Sequence, residues 1–155
     1  MASLRKLIAL DEDDLAVISA HVQDAAVHVA DILWRQNEKR LVIGMKRLDW
    51  DQAVCSGQLS ERRLVTALRF DRVLACKARG IDLTDRNSVL ELFGIEFHTG
   101  KAPGGSVVLM FADGAALRLD VECIECELAD IGEDVLGDDA ALEAGSGEGG
   151  AKDPV

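Results

Sequence analysis

Two of the four cysteines have Cys-x-x-Cys spacing, which occurs in structural zinc sites and in redox-active thiol pairs. Cys123 and Cys126 form this pair, whereas Cys55 and Cys76 lie far apart and supply no second one. A structural zinc site needs four ligands. Three nearby glutamates also disfavour the thiolate form that either chemistry requires. The motif therefore predicts packed structural thiols, with no metal and no redox role.

Glu96 and His98 form a second pair with chemical potential, because side chains two residues apart on a strand share a face. Such a pair could be an acid–base couple or half of a metal site, although a surface salt bridge is more usual. Asp49 and Asp51 flank Trp50, an arrangement that could grip a cation or a sugar but more often anchors a strand end. The sequence has no nucleophile elbow, P-loop or dinucleotide fingerprint. We therefore assign no catalytic residue, no cofactor-binding residue and no metal ligand.

The charge of the chain is unevenly distributed. The formal net charge is −11, yet residues 35–79 hold 11 basic and 5 acidic side chains between two acidic flanks. This basic middle either neutralises the flanks across one folded surface or leaves a basic face free for an anionic partner. The residues predicted to form that face are Arg62, Arg63, Arg69 and Arg79. Strand parity limits how many of them can share one side of a sheet.

The composition argues against nucleic acid as the partner. The overall charge is negative, and the chain has no Tyr and only 4% aromatic residues, which removes the usual stacking platform for bases. An anionic protein is the better candidate. We therefore expect a non-catalytic interaction module. The alternative is a small-molecule-binding protein or enzyme whose site is built from scattered carboxylates and His98.

The first half of the chain predicts a short opening strand at residues 6–10, then one helix followed by further strands. Asp11 is a predicted N-cap, because acidic residues occupy the following turn. An apolar stripe at helical spacing follows, formed by Leu15, Ile18, Val22 and Ala25. From residue 26 the apolar period becomes two, which predicts a strand to residue 34, a turn at 36–38 and a second strand. Residues 62–79 predict a strand with a bulge near Asp71-Arg72, or else a helix.

The second half predicts a hairpin and a closing helix. Residues 89–98 alternate as a strand, and Asp113-Gly114 joins two further strands, since both residues tolerate the positive φ of a type I′ turn. A short C-terminal helix is predicted from the helical spacing of Ile124, Leu128 and Ile131. Residues 30–45 also resemble residues 94–111, which raises the hypothesis of a duplicated hairpin.

These elements predict an α+β fold in which the N-terminal helix packs on antiparallel sheets of six or seven strands, arranged as a sandwich or a partly closed barrel. Residues 1–132 form the predicted domain. Residues 133–155 are acidic and Gly-rich, a composition typical of a disordered tail. No apolar run approaches the roughly 20 residues that span a bilayer, and the N-terminus lacks a secretory signal. We therefore expect a cytoplasmic protein that does not enter the membrane.

Five segments are similar to a known family, namely residues 6–20, 47–50, 70–75, 79–81 and 119–125. They resemble a small uncharacterised alphaproteobacterial family, the domain of unknown function numbered 2948. The resemblance covers roughly residues 4–132 and excludes the tail. It implies a cytoplasmic bacterial protein, and since the family brings no assigned activity, it identifies no functional residue.

Overall fold

The structure, a computed structural model, describes residues 4–49 and 63–134, which contain ten β-strands and one α-helix. The helix, α1, spans Glu12–His21. The strands are β1 (Lys6–Ala9), β2 (Ala25–His28), β3 (Ile32–Arg35), β4 (Arg40–Leu48), β5 (Arg63–Asp71), β6 (Val73–Arg79), β7 (Val89–Thr99), β8 (Gly105–Phe111), β9 (Ala116–Val121) and β10 (Cys126–Asp134). Within these ranges, no helix has the length and apolar character needed to cross a membrane.

All ten strands form one antiparallel sheet in the order β1-β10-β5-β4-β2-β7-β8-β9-β6, with β3 paired to β4 beside this path. The predicted α+β fold with six or seven strands and a C-terminal helix is therefore wrong, because the protein is mostly β. Inward-facing side chains of the strands and the buried side of α1 form a single hydrophobic core. The sequence predicts too few strands because two segments that each read as a single strand are divided in the structure, at Val29–Asp31 and at Arg72.

The helix begins where the sequence predicts. The Asp11 carboxylate accepts a hydrogen bond from the backbone N–H of Asp14 at 2.8 Å, which satisfies one of the donors that a helix start leaves unpaired. The Ser19 hydroxyl accepts the backbone N–H of Ile95 on β7 at 2.9 Å, beside a bulge in the β7–β8 pairing. The residues that α1 buries are Leu15 and Ile18. The helix is thus attached to the sheet by apolar burial and by a hydrogen bond.

Two segments predicted as continuous strands are each divided by a change of backbone conformation. A 3-10 turn at Val29–Asp31 separates β2, which lies between β4 and β7, from β3. Arg72 has a φ of 63° and separates β5 from β6. After this corner β6 pairs with β9, whereas β5 pairs with β4 and β10. The bulge predicted near Asp71-Arg72 is therefore a corner between two strands, and the helical alternative is wrong.

The predicted C-terminal helix is also wrong, because residues 126–134 form β10. Ile131 is 66% exposed whereas Leu128 is fully buried, so the two do not share a helix face. Their apparent helical spacing reflects a bulge between Asp130 and Gly132, which shifts side-chain parity. β10 extends past the predicted domain end at Gly132, and residues 135–155 of the predicted tail lie outside the described residues.

The β8–β9 hairpin is confirmed. Asp113 has a φ of 65° and Gly114 a φ of 77°, so both adopt the positive φ that the Asp-Gly pair predicts. The inward-facing residues of β9 are Leu117, Leu119 and Val121, all of which are buried.

The sheet contains the same four-strand pairing twice. In the first unit β3, β4 and β5 pair in succession and β10 adds to β5; in the second unit β7, β8 and β9 pair in succession and β6 adds to β9. Each unit therefore takes its fourth strand from the other half of the chain. The sequence Ala-Leu-Arg-x-Asp occurs at residues 67–71 on β5 and at 116–120 on β9. The hairpins proposed as duplicates, β3–β4 and β7–β8, occupy equivalent places in the two units.

Candidate anion-binding face

Of the described arginines that were predicted to form one basic face, Arg79 lies in a different unit from Arg63 and Arg69. Arg63 and Arg69 lie on the outer side of β5 in the first unit. Arg79 ends β6, which belongs to the second unit, because the corner at Arg72 carries the chain from one unit to the other. Arg62 lies outside the described residues.

Arg69 is already held by two carboxylates. Its Nε donates to Asp71 at 2.9 Å and its Nη2 donates to Glu127 on β10 at 2.9 Å. Asp71 also accepts a hydrogen bond from Arg40 Nε at 2.7 Å. Arg63 donates to the backbone oxygen of Lys46 at 3.2 Å. The β5 arginines are therefore engaged within the protein.

The corner between β5 and β6 carries further paired cations. Lys39 Nζ donates to Glu122 at 2.8 Å. Arg72 lies 3.8 Å from Glu122 and 3.5 Å from Glu125. The hydrogen bond from Lys39 lowers the pKa of Glu122, and the charges of Lys39 and Arg72 act in the same direction. Here the basic middle of the chain is neutralised by acidic residues from the β9–β10 connection.

Three other cations lie together on the outer side of β6 and β9, and we call them the cation trio: Lys77, Arg79 and Arg118. Lys77 lies directly opposite Arg118 in the strand register. Within residues 4–49 and 63–134, Lys77 and Arg79 make no ion pair. Arg118 Nε donates to Asp120 on its own strand at 3.2 Å. The trio lines a pocket of about 280 Å³ together with Ala78, Val108 and Ala116.

Comparison of the two units explains why Lys77 and Arg118 have no carboxylate partner on the strand opposite. In the first unit Arg69 lies opposite Glu127, an attractive pair. At the equivalent position of the second unit Arg118 lies opposite Lys77. Like charges directly opposite on neighbouring strands repel each other. An anion placed between them would remove this repulsion, so the trio is suited to binding a carboxylate.

Of the trio, the sequence predicts Arg79 as part of a basic face but gives no such prediction for Arg118. Arg118 lies in an acidic part of the chain, so counting charge by segment gave no sign of it. The signal that could have found it is the repeated Ala-Leu-Arg-x-Asp sequence, which makes Arg118 the counterpart of Arg69.

Glu96 and His98 lie on one face of β7, as their spacing predicts. His98 Nε2 is 3.1 Å from Glu96 Oε1. Both side chains line a pocket of about 350 Å³ between α1 and β7, with Glu12 on the helix side. The side chains of His98 and Glu96 are 60% and 54% exposed, so water competes with the contact between them. Asp49 is buried elsewhere, after β4, and Trp50 and Asp51 lie outside the described residues.

The described cysteines are free thiols, and Cys55 lies outside the described residues. Cys126 points into the core, where burial raises the pKa of its thiol and the nearby Asp71 carboxylate acts in the same direction. Burial also raises the pKa of Cys76. Such thiols are poor nucleophiles and poor metal ligands. In the described part of the chain, no group of three or more His, Cys, Asp or Glu side chains is arranged to hold a metal ion.

Comparison with known proteins identifies a family and no individual relative. No curated protein and no solved structure matches the chain. A family match extends over residues 5–141, which includes α1 and all ten strands. Because this match covers most of the chain, the protein belongs to the family described as Protein of unknown function (DUF2948).

Proposed function

We propose that this protein is a non-catalytic interaction module that binds an anionic segment of a partner protein at the cation trio. The observation that carries the proposal is the register of β6 and β9, which places Lys77 opposite Arg118. Arg79 lies on the same side of β6 and, like Lys77, has no carboxylate partner in the described part of the chain. The pocket beside these cations is open to a ligand from solvent.

A carboxylate-bearing protein segment suits the trio better than a nucleic acid does. Proteins that bind nucleic acid neutralise a run of phosphates, and three cations beside one small pocket cannot follow such a run. The net charge of −11 would also repel a polyanion at longer range. A protein segment needs only two or three carboxylates at short range, where hydrogen bonds from Arg and Lys add to the attraction.

Lys77→Glu tests the proposal because it copies the first unit. The new carboxylate would lie opposite Arg118, as Glu127 lies opposite Arg69, and would occupy the place of the partner's carboxylate. We expect the affinity for a fluorescent peptide, Val-Glu-Val-Glu-Val-Glu-Val with capped ends, to fall at least about tenfold. Fluorescence anisotropy at low salt measures this affinity, and added salt should weaken the binding of the wild type.

Arg35→Glu is the matched control. Arg35 is also an exposed strand cation directly opposite another arginine, Arg40, but it lies in the first unit. The same change of net charge there should leave the affinity within about twofold, since Arg35 does not line the pocket beside the trio and an exposed charge outside it is screened by salt. Equal losses in the two variants would mean that only net charge matters. Either that result or an absence of binding to the wild type at low salt would refute the proposal.

A second candidate function is supported by the pocket between α1 and β7. Glu12, Glu96 and His98 surround its apolar lining, so it could hold a small polar molecule. Thermal unfolding in the presence of a panel of small amines and sugars would test this. A ligand that raises the melting temperature of the wild type but not of His98→Ala would support a site here. Equal shifts in both proteins would argue against one.

A further inference from the structure

The two units differ in how the outer edge of the fourth strand is covered. In the first unit β1 pairs with the outer edge of β10, placing Leu7 opposite Leu128 and Ala9 opposite Cys126. In the second unit β6 is the last strand of the sheet, and no strand in the described ranges pairs with its outer edge. An uncovered strand edge presents unpaired backbone donors and acceptors to solvent.

Equivalent positions line these two edges. Cys126 lies opposite Phe70 in the first unit, and Cys76 lies opposite Leu119 in the second. One residue further along, Glu127 of β10 corresponds to Lys77 of β6, because each lies opposite the arginine of the repeated sequence. The edge of β6 is therefore the counterpart of the edge that β1 occupies on β10.

An apolar crevice borders the inner side of β6. It has a volume of about 220 Å³ and lies between β6 and β3. Its lining includes Ile32, Trp34, Cys76, Ala78 and Leu117. A strand added along β6 would direct alternate side chains into this crevice and the others toward the outer side, where the cation trio lies.

We propose that an extended segment of a partner protein, with acidic residues alternating with small apolar ones, adds to β6 as an antiparallel strand. This inference rests on the proposed function and gives its binding mode. The carboxylates lie beside Lys77 and Arg79, the apolar side chains enter the crevice, and the backbone pairs with the open edge of β6. In recognition of this kind, backbone hydrogen bonds supply affinity and alternate side chains supply specificity.

Charge favours an acidic partner over a second copy of this chain. The strand that a second copy would offer by analogy is β1, which is already paired with β10. β1 also carries Lys6, which lies 3.5 Å from Glu127 in its own unit. On β6 the same lysine would meet Lys77 and Arg79 and would be repelled.

The test uses the full chain and the peptide Val-Glu-Val-Glu-Val-Glu-Val in two N-methylated forms. One form is methylated on every valine nitrogen and the other on every glutamate nitrogen. In an added strand, only alternate residues direct their N–H groups toward β6. We therefore expect one form to bind at least about tenfold more weakly than the unmodified peptide and the other to bind within about threefold. Hydrogen exchange of the β6 amides should also slow when the unmodified peptide binds.

The outcomes separate the binding mode from the proposed function. If both methylated forms bind equally well and Lys77→Glu still abolishes binding, strand addition is wrong and the anion-binding face stands. If the unmodified peptide does not bind, or Lys77→Glu has no effect, both proposals are wrong. If sedimentation shows that the protein alone forms a dimer that Lys77→Glu disrupts, β6 is occupied by a second copy and the partner segment is excluded.

Discussion

At the scale of single residues, the ion pair between Arg47 and Asp130 places two charges where water cannot solvate them. Their side chains are 1% and 0% exposed. Two hydrogen bonds join them, from Nε at 2.9 Å and from Nη2 at 2.7 Å. Asp130 also accepts the Thr66 hydroxyl and the Arg5 backbone N–H, each at 2.8 Å. A buried ion pair is tolerated when hydrogen bonds satisfy both charges in this way. Leaving either charge buried without its partner strongly destabilises the protein.

Arg47→Met should therefore destabilise the protein strongly. The change leaves the Asp130 carboxylate buried without its cation, which typically costs about 3–5 kcal/mol. Urea unfolding followed by circular dichroism measures the loss. Arg35→Met is the control, because removing an exposed arginine should change the free energy of unfolding by less than about 0.5 kcal/mol. Similar small effects for both variants would contradict the proposed importance of the pair.

Asp130 should also make the free energy of unfolding depend on pH in the acidic range. Burial alone would raise the pKa of its carboxyl, but hydrogen bonds from Arg47, the Arg5 backbone and Thr66 outweigh burial and lower it. A carboxyl whose pKa falls on folding stabilises the protein above its unfolded value, about 3.9, and loses this contribution as the pH falls through the folded value.

Asp130→Asn should accordingly be less stable than the wild type at pH 7, and the difference should narrow as the pH falls below about 4. Urea unfolding of both proteins across this pH range measures the difference. A difference that stays constant between neutral and acid pH would show that the charge of Asp130 does not contribute to stability.

The candidate site shows the limit of residue-level prediction. Arg79 and Lys77 belong to the basic middle of the chain, so the sequence could identify them as surface cations. Their proximity to Arg118 depends on β6 pairing with β9, a contact between distant segments that no local pattern encodes. In the same way, only the pairing of β5 with β10 reveals that Arg69 is neutralised by Glu127.

At the scale of elements, cap and turn chemistry predicts the structure correctly, whereas apolar spacing predicts the wrong element where a strand is bulged or divided. The Asp11 cap and the Asp113-Gly114 turn follow from the chemistry of a few neighbouring residues, and both are confirmed. β10 was mistaken for a helix because its bulge imitates helical spacing, and its two pairing partners come from distant parts of the chain. Tertiary pairing of this kind overrides local propensity.

Arg72 shows how one residue sets the path of two elements. Its φ of 63° is unfavourable for a residue with a side chain, by about 1–2 kcal/mol. Backbone hydrogen bonds stabilise the corner on both sides: the Asp71 N–H donates to the Glu125 oxygen, and the Glu122 N–H donates to the Arg72 oxygen, each at 2.9 Å. The β5–β6 and β9–β10 corners therefore stabilise each other.

Arg72→Gly should leave the free energy of unfolding unchanged or raise it by up to about 1 kcal/mol. Glycine adopts a positive φ without strain, and the exposed ion pairs that would be lost contribute only about 0–1 kcal/mol each. Arg72→Val removes the same ion pairs but places a β-branched residue in the left-handed region, so it should be clearly less stable than Arg72→Gly. Equal melting temperatures for the two variants would contradict a structural role for this conformation.

At the scale of the whole molecule, the two units are interlocked. β10, from the second half of the chain, completes the first unit, and β6, from the first half, completes the second. β2 joins the units along the sheet, because it pairs with β4 of the first unit and with β7 of the second, the latter at four positions from Ala25↔Leu92 to His28↔Val89. Neither half of the chain contains a complete unit, although each contains a three-strand meander.

This interlocking predicts that neither half folds alone and that the two halves fold together. A cut between Thr84 and Asp85 lies in an exposed turn between β6 and β7 and divides no strand. The fragment ending at Thr84 would expose the edge of β5 that β10 covers, and its complement would expose the edge of β9 that β6 covers. Each meander would also lose part of the shared core, and small sheets are marginally stable without it.

Far-UV circular dichroism should therefore show each separate fragment to be largely unfolded, and an equimolar mixture should recover the strand signal of the intact protein. Size-exclusion chromatography should show the mixture eluting as one species with the volume of the intact chain. Lys77→Glu in the first fragment should not prevent recovery, since it replaces a like-charge contact with Arg118 by an attractive one. A single fragment that unfolds cooperatively would show that a meander is stable without its borrowed fourth strand, and the interlocked arrangement would then not be what stabilises the fold.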